Sequence, residues 1–105
     1  MSTASVILAI ENLAQSVAAL LGNLGAFNAT YGNTLISTIE LIKTQVASLP
    51  IQAGQKTQII NLLNLAENII TSAITAGSIT TTQVNSLLDI LQLEVLKTLT
   101  FSLLT

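Results

Sequence analysis

The chain contains no cysteine, no histidine, no arginine and no tryptophan. Without cysteine it can form no disulfide, no thiolate metal site and no thiol nucleophile. Without histidine it lacks the commonest general base and the commonest metal ligand. Positive charge is confined to Lys43, Lys56 and Lys97. Three lysines cannot neutralise a run of phosphates, so no nucleic-acid partner is expected. Aromatic residues are scarce as well: Phe27, Tyr31 and Phe101 are the only three, and each is expected as a core or interface anchor. No glycine-rich phosphate loop is present. Serine and threonine are plentiful, yet no base stands ready to activate any of them. No catalytic, cofactor-binding or metal-binding residue is therefore assigned, no cofactor is expected, and the chain is not expected to be an enzyme.

What the chain does have is apolar surface and uncharged polarity. Half of its residues are hydrophobic, and the mean hydropathy is +0.74. Charged residues make up 8%, against roughly a quarter in an ordinary soluble domain. Asparagine, glutamine, serine and threonine supply the missing polarity and account for more than a third of the chain. Such groups hydrate a surface while permitting close approach, because no ion has to be desolvated. With a net charge of −2 the surface is weakly protected against association. The N-terminus lacks the basic stretch of a signal peptide. The weakly polar run from Val6 to Phe27 carries Glu11, Asn12, Gln15, Ser16 and Asn23, which suits a core helix better than a membrane span.

The spacing of apolar residues predicts helices. Val6, Ile10, Leu13, Val17, Leu20 and Leu24 are separated by 4, 3, 4, 3 and 4 residues. Leu35, Ile39, Ile42, Val46 and Leu49 follow 4, 3, 4, 3, and Ile59, Leu62, Ala66, Ile69 and Ala73 follow 3, 4, 3, 4. These are seams of packed helices, not the alternation of strands. A fourth segment is apolar almost all round, with Val84, Leu87, Leu88, Leu91, Val95, Leu96, Leu99 and Leu103. It is expected to be the most buried of the four, either inside the bundle or at a contact between subunits.

Punctuation places the boundaries. Gly22, Gly25 and Gly32 bracket a break after the first helix, although the apolar rhythm runs on through Phe27 and Tyr31, so one long kinked helix is the rival reading. Pro50 ends the second helix. Gly77 stands where a left-handed C′ residue would close the third. Thr80 and Gln83 read as a capping box, with Ile79 and Val84 as its hydrophobic staple. The expected fold is a single all-α domain over 1–105, an antiparallel four-helix bundle with helices near 3–23, 32–48, 53–76 and 81–103.

A weak internal repeat accompanies the pattern. Ile10-Glu11 through Leu20 aligns with Ile39-Glu40 through Leu49, and Leu93-Glu94-Val95-Leu96-Lys97-Thr98 echoes Ile39-Glu40-Leu41-Ile42-Lys43-Thr44. One glutamate recurs per helix, at Glu11, Glu40, Glu67 and Glu94. Four glutamates on four helices suggest a carboxylate di-metal bundle, but such sites also use Glu-x-x-His. Each glutamate here directly follows a seam residue or flanks the seam, so all four are expected as solvated flank residues. Lys43 and Lys97 lie three residues after Glu40 and Glu94, a spacing for weak surface ion pairs. Asn28-Ala29-Thr30 matches a glycosylation sequon and, with no signal peptide expected, is read as chance.

These features favour a non-enzymatic, self-assembling structural protein: a coat, shell or filament subunit. Its contacts are expected along the fourth helix, at Val84, Leu87, Leu91, Val95, Leu99, Phe101 and Leu103. The alternatives are a bundle that associates with lipid or another hydrophobic surface, and a small module that holds a hydrophobic ligand. The phrases Ala47-Ser48-Leu49-Pro50-Ile51, Ala76-Gly77-Ser78-Ile79-Thr80 and Gln83-Val84-Asn85-Ser86-Leu87-Leu88 resemble the low-charge helical modules of spore-surface (exosporium) proteins of Gram-positive spore formers. By character the chain is also similar to the hydrophobic helical coat proteins of archaeal viruses. Either resemblance implies assembly with copies of itself or with other surface or coat proteins, at a spore surface or in a virion. Neither assigns functional residues.

Overall fold

Serine 2 starts the first helix by accepting a hydrogen bond at Oγ from the Ser5 amide, 3.1 Å away, which satisfies one of the free donors of the first turn. In the computed structural model, which describes residues 2–104, helix α1 then runs Thr3–Ala18. It tightens into a 3₁₀ turn at Ala19–Gly22, and a second short 3₁₀ turn covers Leu24–Ala26. Between them Asn23 leaves helical geometry (φ −160°, ψ 80°), and Phe27 is extended. The chain reverses here, so the rival reading of one long kinked helix is not what forms. The first regular helix is also shorter than the expected 3–23, because its last turn is 3₁₀.

Helix α2 spans Ala29–Ala47 and begins three residues earlier than expected. Its start is fixed by Asn28, whose Oδ1 accepts from the Tyr31 amide at 2.8 Å. The asparagine of the sequon is thus a helix N-cap, a role this residue type fills well before an apolar helix. Gly32, counted as part of the break, lies inside α2 and is buried. It is glycine because the helix approaches α3 there: a Cβ would stand 2.6 Å from Ile74 Cγ1 and 3.0 Å from Phe27 Cζ. Pro50 closes α2 after a tightened last turn, and the Lys56 ammonium donates to the Ala47 carbonyl at 3.0 Å across the connection.

Helix α3 covers Ala53–Ala76, as the spacing predicts. Gly77 adopts φ +80° and closes it, with the Gly77 and Ser78 amides both bonded to the Ala73 carbonyl. The next helix opens on the expected capping box: the Gln83 amide donates to Thr80 Oγ1 at 3.1 Å, and Gln83 Oε1 accepts from the Thr80 amide at 3.0 Å. This fourth helix is not uniform. It comprises α4 (Thr81–Leu88), a π-helical segment Asp89–Val95 and α5 (Leu96–Leu104).

The π segment answers a problem of register. Val84 and Leu87 are three apart, but Leu87, Leu91, Val95 and Leu99 are each four apart. Four residues turn an α-helix about 400°, so three such steps would rotate the apolar face ~120° away from the core. The wider i→i+5 winding removes much of that drift. Leu91, Val95 and Leu99 are all buried as a result.

Helix α1 packs against α2 and the fourth helix, and α3 packs against the same two. The four helices therefore form an up-and-down square with α1 diagonal to α3, 41 Å long and about 20 Å across. The core is a single cluster of aliphatic side chains plus Phe27, with no buried polar or charged residue among those described. One seam differs from expectation. On α3 the buried row is Ile59, Leu63, Ala66, Ile70 and Ala73, while Leu62 and Ile69 lie half-buried on its flank. The doublets Leu62-Leu63 and Ile69-Ile70 offered two registers one residue apart, and packing against both neighbours selected the second. The fourth helix is no more buried than the rest: five of its residues reach the core, as do five on α1 and five on α3.

The accessible surface, 5490 Å², matches the roughly 5,600 Å² of a compact 11.0 kDa monomer. The bundle closes its core within one chain.

Candidate surface for association

The expected contact row on the fourth helix divides sharply. Val84, Leu87, Leu91, Val95 and Leu99 are at most 1% exposed and belong to the chain's own core. They are not available to another subunit while the bundle is folded, because the helix turns its most regular apolar face inward. Phe101 and Leu103 stay at the surface, 59% and 54% exposed, and Leu104 beside them is more exposed still. The apolar residues that face outward elsewhere lie off the helix seams. They are Leu8 on α1, Leu41 on α2, Leu65 on α3 and Leu93 on the π segment, each more than half exposed, and Leu21 in the 3₁₀ turn at 45%. The signal for them was in the sequence: a leucine off the 3–4 rhythm of its own helix.

Two grooves mark the surface. One lies between α1 and α2, with a volume of about 690 Å³; Leu13 and Leu35 form its floor, Ala9 and Ala26 leave it open, and Asn12, Thr34 and Thr38 are on its rim. The other, about 390 Å³, lies between α3 and the fourth helix and is lined by Leu65, Ile69 and Ile90 with Ser72, Thr82 and Ser86. In the square arrangement these are opposite faces of the bundle. No charged residue lines either groove.

Four of the five hydroxyls around the first groove have their protons engaged already. Thr34 Oγ1 donates to the Thr30 carbonyl at 3.0 Å, Thr38 Oγ1 to the Thr34 carbonyl at 3.0 Å, and Ser16 Oγ to the Asn12 carbonyl at 3.3 Å. Tyr31 Oη crosses between helices to the Ser16 carbonyl at 2.7 Å. Threonines bonded back onto their own helix use up the donor that would otherwise demand water. The groove is thus less polar than its composition.

Charge is concentrated elsewhere. Lys43 Nζ joins α2 to α3 by pairing with Glu67 at 2.6 Å and with Asn64 Oδ1 at 2.8 Å, and it also pairs with Glu40 one turn back. The bond to Glu40, then that to Glu67, raises the Lys43 pKa; the bond from Lys43 lowers that of Glu40. Glu67 departs from the solvated-flank expectation. Its side chain is only 16% exposed, because α2 and α3 approach closely enough for one ammonium to span them. Glu11, Glu40 and Glu94 lie exposed, and Glu94 forms no ion pair with Lys97 among the described residues. The four glutamates stand on four different helices and do not converge: no three acidic side chains among the described residues come close enough to hold a metal ion.

Two segments, Thr3–Gly22 and Ala53–Ala76, are long and apolar enough to cross a membrane by length and composition, a test that buried core helices also pass. No family model matches the chain, and neither a curated protein nor a solved structure matches it.

Proposed function

We propose that this chain is a non-enzymatic structural subunit that assembles with copies of itself, as a coat, shell or filament protein does. One observation carries the reading. The core is complete within a single chain, yet each of the four helices still turns a large leucine to solvent on a surface with almost no charge. Outward leucines contribute nothing to a closed core, and on a surface with so few charges they leave apolar area for a neighbour to cover. Uncharged amides and hydroxyls between them can be covered without desolvating ions. The contact surface is accordingly Leu8, Leu41, Leu65, Leu93 and the Phe101–Leu104 end, in place of the buried part of the fourth helix.

The test is the molar mass of the full chain in detergent-free buffer, measured by light scattering over a range of concentrations. Growth of the mass with concentration is the expected result. A mass that stays at 11.0 kDa throughout would overturn the reading. A second reading, association with lipid, draws on the two long apolar helices. Against it stands the lack of the lysine and arginine enrichment that anchors interfacial helices. Flotation with neutral liposomes by a chain that stays monomeric without them would transfer the assignment to lipid.

A further inference from the structure

We draw no further inference here: the strongest candidate, the uncharged groove between α1 and α2, carries nothing because nothing in the structure shows what covers it.

Discussion

Tyr31 Oη donates to the Ser16 carbonyl at 2.7 Å, tying the first turn of α2 to the last turn of α1 beside the open groove. Ser16 is among the last four residues of α1, where the winding changes from α to 3₁₀ and the regular i→i+4 pairing of carbonyls ends. The Tyr31 ring also meets Phe27, with centroids 6.2 Å apart, so this side chain braces the α1–α2 connection. Tyr31→Phe keeps the ring and removes the bond. It is expected to lower stability by about 1 kcal/mol in urea unfolding. An unchanged midpoint would mean that water serves the Ser16 carbonyl equally well.

At Gly32 the α2 backbone comes so near Ile74 of α3 that an added Cβ would stand 2.6 Å from Ile74 Cγ1. A helical glycine ordinarily gains about 1 kcal/mol on replacement by alanine. Here the added methyl would overlap Ile74, so Gly32→Ala is expected to destabilise the wild type by roughly 1 kcal/mol or more. In an Ile74→Ala background the same replacement should stabilise. Thermal unfolding of the four members of this cycle checks the reversal of sign, and equal effects in both backgrounds would remove the packing explanation.

Deletion of one residue from an α-helix ordinarily rotates everything beyond it by about 100° and destroys a packed face. The π segment Asp89–Val95 makes this helix an exception, because it contains one residue more than α-geometry needs. Deleting exposed Gln92 is expected to convert the segment to α-helix, keep Leu99 in the core and leave the melting temperature at or above that of the wild type. Deleting exposed Asn68 from the uninterrupted α3 should unfold the chain. Equal damage from both would show that the π winding carries no spare residue.

The Lys43 cluster predicts the response to pH. The lowered pKa of Glu40 means its contribution is present above the ordinary value of 4.5 and is lost as pH falls through the folded value. The raised pKa of Lys43 means its contribution is present below 10.5 and is lost as pH rises through the folded value. Lys43→Met is therefore expected to lower the melting temperature by roughly 3 °C at pH 7, the scale of a surface network in a small domain. In acid, as Glu40 is protonated below its lowered folded value, the difference should shrink. A difference of unchanged size there would assign the effect to packing of the lysine stem.

Much of this architecture was legible because local chemistry decided it. The seams of α1 and α2, the stop at Pro50, the left-handed Gly77 and the Thr80–Gln83 box each depend on residues within a turn or two of one another. The Asn28 cap is equally local, an asparagine set directly before the apolar rhythm of α2. The surface was harder to read. Val84, Leu87, Leu91, Val95 and Leu99 have the same composition whether they meet a neighbouring helix of their own chain or another molecule. Nothing within the fourth segment distinguishes those cases.

The sequence by itself determined four helices, their order, the Gly77 and Thr80 caps and a chain without cysteine or histidine. Those properties follow from periodicity, from backbone preferences and from which side chains exist at all. Only the tertiary structure decided which of two registers α3 uses, why Gly32 must lack a side chain and how the fourth helix winds to keep its leucines inward. It alone separated the inward leucines from Leu8, Leu41, Leu65 and Leu93. The reason is physical: a periodic pattern specifies that a face is buried, but what buries it depends on residues distant in the chain, which only packing brings together.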